Sequence, residues 1–175
     1  MLNALVAFAM AYDHGFEAHD LVRGLDTFKG VERRFTYRIK TDDFVLIDDY
    51  AHHPTEIDAV HQAVSEMYPE EKVMAIFQPH LFSRTQDFGE DFAKSLNKFD
   101  EVRLLEIYPA RELPIAGIDS TWLLGKIENP RKKLIEKENI LTEIKDSGIK
   151  VVLMIGAGDI GVEVLKIEKA IIGED

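Results

Sequence analysis

The chain has 175 residues, 46% hydrophobic and 30% charged, with no cysteine and a formal net charge of −11. That length and balance describe one globular domain with at most a small appendage, large enough to bury roughly 70% of its unfolded surface without a disulfide or structural metal. The missing cysteines exclude disulfides and thiolate metal sites, the acidic balance excludes an extended nucleic-acid surface, and no apolar run approaches the roughly 20 residues of a membrane span.

Residues 1–12, MLNALVAFAMAY, lack the basic start and small-residue cleavage site of a secretory signal. Leu2, Leu5, Val6 and Ala9 fall at helical spacing and predict the buried face of a core helix over residues 3–13. That helix begins almost directly at Met1, as expected of a piece of a longer protein. A second helix is expected over residues 18–26, closing at the turn Phe28-Lys29-Gly30, so residues 1–30 read as a helical hairpin.

From residue 31 the pattern changes. Strand-like runs over 35–39 and 44–47 flank a polar turn, and a helix over 55–67 follows, with Thr55 near its cap. Then come a strand over 73–77, a helix over 85–97 capped by Ser83 or Thr85, a strand over 101–107 and a short helix over 120–127. A small strand over 134–136, a helix over 139–147, a strand over 150–155 and a helix over 159–171 complete the chain. Arg131-Lys132-Lys133 reads as a solvated loop or helix end, Trp122 as a packing residue, and His14, His19 and His61 as structural or solvent-facing. Continuous apolar strands alternating with amphipathic helices predict an α/β fold with a mostly parallel sheet covered on both faces. Ligands gather at the carboxyl ends of such strands. Residues 48–54, 78–84, 106–112 and 156–161 stand at those ends and carry the chain's most unusual side chains.

The stretch DDYAHHPTEI, residues 48–57, holds three acids and two histidines. It admits a metal site, an acid–base cluster, a nucleotide clamp in which an Asp accepts both ribose hydroxyls, or a solvated loop. In Gln78-Pro79-His80-Leu81-Phe82-Ser83-Arg84-Thr85, His80 and Arg84 share one short loop, and Arg is suited to grip a carboxylate or phosphate. Gly156-Ala157-Gly158-Asp159-Ile160-Gly161 has the GxGxxG spacing. Asp159 would place negative charge where a phosphate should dock, and no further strand with an acid follows. A tight strand-to-helix turn close to a ligand is the expectation.

Taken in order, NALVA at residues 3–7, GVERRF at 30–35, DDYAHHPTE at 48–56, FQPHLFSRT at 77–85, EIYPARE at 106–112 and GAGDIG at 156–161 resemble the Mur ligases of bacterial cell-wall synthesis. The resemblance covers essentially the whole chain. It implies that residues 1–30 are the closing helices of a central ATP-binding domain, and that residues 31–175 are a carboxy-terminal, Rossmann-like three-layer domain that closes over ATP and brings the amino acid. It further implies ATP-dependent amide formation in the cytoplasm, with ATP, L-alanine and UDP-N-acetylmuramate as small-molecule substrates and Mg²⁺ as cofactor. Neither nucleic acid nor membrane is an expected partner. Asn3 would contact the adenine, Arg34 would reach toward the phosphates, Asp49 would hold the ribose and Tyr50 would border the nucleotide. His52, His80 and Arg84 would line the amino-acid site, Arg84 taking the carboxylate, with Arg34 and His52 as the catalytic pair. The phosphate loop and the Mg²⁺-binding Glu and His of the central domain are not in this sequence. The chain alone is therefore expected to lack ligase activity, to bind ATP weakly at most, to hold no metal of its own, and to depend on the missing amino-terminal and central domains. Two rivals from other classes are a non-enzymatic nucleotide- or anion-binding module and a small metallohydrolase using Asp48, Asp49, His52 and His53.

Overall fold

A computed structural model describes residues 2–28 and 30–173, apart from the side chains of residues 2 and 3. Its chain divides into two compact units, Met1–Val31 and Glu32–Asp175. The first unit is a pair of helices, α1 (Leu2–Asp13) and α2 (Ala18–Asp26), joined by a turn in which Gly15 takes φ +91°. The core face expected of α1 is not buried: Leu5 is 64% and Val6 51% exposed, and Ala9 is exposed too. A two-helix unit has no second layer to cover an apolar face, and α1 is apolar around much of its circumference, so spacing alone misassigned it. The predicted turn at Lys29 lies outside the described residues.

The second unit is built on a six-stranded sheet of order β1-β2-β6-β3-β4-β5. Its strands are β1 (Thr36–Lys40), β2 (Val45–Asp49), β3 (Val73–Phe77), β4 (Glu101–Leu104), β5 (Lys132–Leu134) and β6 (Val151–Ile155). Only β1 runs antiparallel to its neighbour. The three central strands β2, β6 and β3 are buried along their whole length, which is why β3 and β6 read as unbroken apolar runs and β2 as one up to its terminal Asp48 and Asp49. Their side chains alternate between two cores. Val45, Ile47, Ala75, Phe77, Leu153 and Ile155 meet α3 (Pro54–Met67), α5 (Gly89–Leu96) and α6 (Ser120–Lys126), while Leu46, Met74, Ile76, Val152 and Met154 meet α7 (Ile140–Ser147) and α8 (Ile160–Ile172). Each fully buried Leu, Ile or Phe contributes about 1.5–3 kcal/mol, and most of the unit's stability resides in these two layers.

Several boundaries differ from the sequence pattern. The helix expected over 85–97 starts earlier and is broken into α4 (Phe82–Asp87) and α5, with Phe88 between them. A Cβ on Gly89 would sit 2.5 Å from the ring of Trp122 in α6, so glycine there lets α5 and α6 approach. Neither Ser83 nor Thr85 caps α4; its N-cap is Leu81. Thr55 lies near the cap of α3 as expected, the N-cap being His53, whose Nδ1 accepts from Thr55 N. β4 ends at Leu104, three residues short of the expected 107, although the chain stays beside β3's extension: Leu105 N donates to Phe77 O and Tyr108 bridges His80 in parallel. β5 occupies 132–134 instead of 134–136. Lys132 therefore lies in a strand, its ammonium donating to the Leu124 and Ile127 carbonyls at the end of α6, and is not a solvated loop residue.

Register places the site. Asp49 pairs with Ile155, Phe77 with Ile155, and Leu104 with Phe77, so the carboxyl ends of β2, β6, β3 and β4 end at one level. The 31–35 segment is fastened to this edge by Arg33. Its Nε donates to the fully buried Asp48 carboxylate at 3.3 Å, its Nη2 donates to Gly156 O at 2.6 Å, and its guanidinium lies 5.1 Å from the centre of the Tyr50 ring. Arg38 completes the charge balance at Asp48, 3.1 Å away. Removing one partner of a buried pair costs roughly 3–5 kcal/mol. Because Arg38 remains, Arg33→Ala should destabilise the chain by about 3 kcal/mol in urea denaturation, whereas loss of the exposed neighbour in Arg34→Ala should change stability by less than ~0.5 kcal/mol. Equal effects from the two substitutions would contradict this anchoring.

Candidate active site

Two groups of side chains meet at the carboxyl edge. The first lies around Asp49. Its Oδ2 accepts from Phe35 N and its Oδ1 from Ala51 N, both at 2.7 Å. Burial pushes the carboxyl above its ordinary value, opposed by these two amides and by the Arg34 charge. An ionised carboxylate has about four acceptor positions, so two remain for hydroxyl donors. Asp49, Arg34 and Glu56 line a cavity of about 340 Å³ whose apolar wall is Phe35, Ala51, Ala59, Val60 and Ala63. Among the described residues Arg34 has no ion-pair partner within 4.0 Å, and its side chain is exposed. Tyr50 leaves 38% of its surface in solvent.

The second group joins the ends of β2 and β3. The His52 and His80 rings stand 6.0 Å apart at a steep angle, and His80 lies 5.8 Å from Tyr108, nearly parallel to it. Hydrogen-bond partners assign the tautomers. His52 Nδ1 faces the Tyr50 carbonyl at 2.9 Å, an acceptor only, so Nδ1 carries the proton and Nε2 of the neutral ring is left as an acceptor. His80 Nδ1 accepts from Arg84 Nη1 at 3.1 Å, so its Nε2 carries the proton. Burial first, and then the Arg84 charge, hold His80 below the ordinary imidazole value. One ring presents an acceptor and the other a donor, with a guanidinium beside them.

The backbone that carries this pair is strained. Leu81, between His80 and Arg84, adopts φ 74° and ψ 136°. A side-chain-bearing residue held there costs of order 1–3 kcal/mol and persists only where its surroundings over-determine it. Leu81 N donates to Tyr108 O at 3.0 Å, and Leu81 O accepts from Thr85 N at 3.1 Å and Thr85 Oγ1 at 2.8 Å. Glu56 fastens the other loop, its Oε2 accepting from His52 N at 2.9 Å and His53 N at 3.2 Å.

The structure thus brings Arg34 to Asp49, Tyr50 to His52, and His52 to His80 and Arg84. The side chain of Asn3 lies outside the described residues. Asp48 and His53 do not join either group: Asp48 is consumed by Arg33 and Arg38, and His53 caps α3 with its ring 4.6 Å from Phe88. The four residues of the metallohydrolase reading do not converge, and the described residues contain no group of three or more His, Asp or Glu that could hold a metal.

The GxGxxG turn packs against the chain's own side chains rather than leaving a ligand cradle. A Cβ on Gly158 would lie 2.4 Å from Gln78 Oε1 and 2.7 Å from Tyr108, and one on Gly161 would lie 2.6 Å from the Arg33 guanidinium. Gln78 Oε1 accepts from Ile160 N at 2.9 Å and its Nε2 donates to Asp159 at 2.7 Å, occupying the start of α8. Sequence reasoning overlooked Arg33, Gln78 and Tyr108. The signal for Arg33 is its place in the GVERRF motif, next to Arg34.

The family profile described as "Mur ligase, glutamate ligase domain" matches residues 33–162. The chain belongs to the Mur ligase family. The UDP-N-acetylmuramate–L-alanine ligases of Christiangramia forsetii and Flavobacterium psychrophilum are 64% identical over 174 residues and 59% identical over 169, alignments covering 99% and 97% of this chain. Among solved structures, the UDP-N-acetylmuramate–alanine ligase of Thermotoga maritima superposes with a TM-score of 0.77 at 27% identity over 99% of this chain. The chain spans 38% of the length of each of these three proteins. No described helix is long and apolar enough to cross a membrane.

His80 provides a direct test of the Mur-type edge. In NMR titration its ring should protonate below 6.5, and Arg84→Ala should raise the midpoint. The unfolded chain takes up this proton nearer 6.5, so folded stability should fall as pH drops from about 6.5 through the depressed value, with no contribution from His80 above that window. A midpoint at or above 6.5 would contradict the placement of Arg84.

Proposed function

We propose that this chain is the part of a UDP-N-acetylmuramate–L-alanine ligase that closes on ATP and presents the amino acid, in the cytoplasmic stage of bacterial peptidoglycan synthesis. In this reading residues 1–30 are the last helices of the central ATP-binding domain and residues 31–175 the carboxy-terminal domain. The observation that carries it is the convergence of His52, His80 and Arg84 beside the Asp49–Arg34 cavity, on one sheet edge, in a chain 64% identical to such a ligase.

The reaction joins a carboxylate to an amine. The muramoyl carboxylate takes the γ-phosphoryl group of ATP to give an acyl phosphate and ADP, the alanine nitrogen attacks the acyl carbon, and the tetrahedral intermediate expels phosphate. Positioning and charge neutralisation supply most of the acceleration in such chemistry. The residues here fit the nucleotide end: the two open acceptor positions of Asp49 match the two ribose hydroxyls, Tyr50 offers an exposed ring, and Arg34 supplies positive charge for the phosphates. The Arg84 guanidinium suits the alanine carboxylate, and His80 N–H offers a second donor. The acceptor nitrogen of His52 suits the amine, which must lose a proton to attack. Mg²⁺, when bound in the whole enzyme, neutralises phosphate charge; its ligands are expected in the central domain.

Two outcomes follow. The 175-residue chain alone should release no phosphate from ATP in response to UDP-N-acetylmuramate and alanine, and should bind ATP weakly by calorimetry; robust dependent turnover would overturn the division of labour. In the full-length enzyme, Arg84→Ala should raise KM for alanine by at least ~30-fold, about 2 kcal/mol of lost charge-assisted hydrogen bonding, with KM for ATP within twofold. Asp49→Asn should show the reverse split. An unchanged alanine KM in Arg84→Ala would remove Arg84 from the amino-acid site.

A further inference from the structure

The segment after β4 makes a second use of the FQPHLFSRT loop that the proposed substrate contacts do not explain. Tyr108 pairs with His80 as an isolated parallel bridge: Tyr108 N donates to Pro79 O at 2.8 Å, and Leu81 N donates to Tyr108 O at 3.0 Å. Four residues later Glu112 accepts twice from one residue, from Ser83 N at 3.0 Å and from Ser83 Oγ at 2.5 Å. The intervening turn is closed by Glu112 N donating to Pro109 O at 2.9 Å, with Ala110 at φ 49°. The strained Leu81 is thus clasped on both sides, by Tyr108 before it and by Glu112 through Ser83 after it. Ser83 is the immediate neighbour of Arg84. We propose that Glu112 is a positioning residue that, through Ser83, holds Arg84 and His80 in the orientation that receives the amino acid. This rests on the assignment of Arg84 to the amino-acid site.

The chemistry favours a carboxylate at this position. An ionised Glu accepts both Ser83 bonds at once, whereas a glutamine accepts at its single carbonyl oxygen and places an NH₂ against one of the two donors. The Ser83 bonds draw the Glu112 carboxyl below its ordinary value, so it stays ionised at neutral pH. Glu112 also feels the Arg84 charge and contributes to the field around His80. A guanidinium can rotate freely on its stem, so fixing the backbone beneath it narrows the arrangements available to the empty site.

The test uses the full-length ligase and steady-state kinetics for each substrate. Glu112→Gln and Ser83→Ala should each raise KM for L-alanine by about tenfold, leave KM for ATP and UDP-N-acetylmuramate within twofold and change kcat by less than threefold. Ser83→Thr keeps both donors and should restore alanine KM to within twofold of the parent. The double variant Glu112→Gln/Ser83→Ala should be no worse than the worse single one, because the two act through one contact. Arg84→Ala is the control. If it raises alanine KM and the Glu112 and Ser83 variants do not, the clasp is refuted and the substrate site stands. If Arg84→Ala leaves alanine KM unchanged, the substrate assignment fails and the clasp proposal with it. Uniform loss across all three substrates, or loss in Ser83→Thr equal to that in Ser83→Ala, would mean a merely structural role and would overturn the proposal.

Discussion

Asp48 sits at the end of a strand buried on both faces, with no solvent access, and a carboxylate there is tolerable only because two guanidiniums reach it. That demand organises the surroundings. Arg38 comes from the adjacent antiparallel strand, and Arg33 comes from the incoming segment, which is thereby drawn across the sheet edge to meet the Gly156 carbonyl and the Tyr50 ring. Tyr50 N donates back to Arg33 O at 2.6 Å, and the chain neighbours of these two partners, Arg34 beside Arg33 and Asp49 beside Tyr50, line one cavity. The cavity at Asp49 exists because of this structural ion pair beside it.

From that edge the arrangement propagates through register. Five buried residues each of β2, β6 and β3 end level with one another, and the loops that leave them carry the polar side chains. The glycines of the 156–161 turn allow Gln78, Tyr108 and Arg33 to pack at close range, and Gln78 takes up the amide at the start of α8. The helix terminus that resembles an anion site is thus already occupied by the protein, while the loops at Asp49 and His80 keep open acceptors and donors. The two functional loops are each stiffened by one glutamate, Glu56 for residues 52–53 and Glu112 for residue 83. Such stiffening lowers the ordering cost of binding a small, weakly held substrate.

Much of this was legible in the sequence where a single period governed. The strand at 73–77 reads directly because its two-sided burial gives an unbroken apolar run. The sequence shows that His80 and Arg84 share one loop at a strand end, but not that Arg84 donates to His80 Nδ1. Legibility failed where an interaction crossed the fold. Nothing local says that Asp48 and Asp49 divide into a structural and an open carboxylate, or that Lys132 belongs to a strand. The close approach of Trp122 to Gly89, beside the break at Phe88, joins residues 33 positions apart. The first helix is the opposite case: the sequence correctly gives a helix, but one apolar around much of its circumference has no face that spacing can assign to a core.

The central claim is that the Asp49 cavity and the His52–His80–Arg84 group are two parts of one reaction centre. A crystal structure of the full-length ligase with a non-hydrolysable ATP analogue, UDP-N-acetylmuramate and L-alanine tests it most directly. The ribose hydroxyls should lie within hydrogen-bonding distance of Asp49 and the alanine carboxylate on Arg84, with its nitrogen facing His52. A ternary complex with alanine bound away from this edge, or with the ribose held by residues other than Asp49, would contradict it.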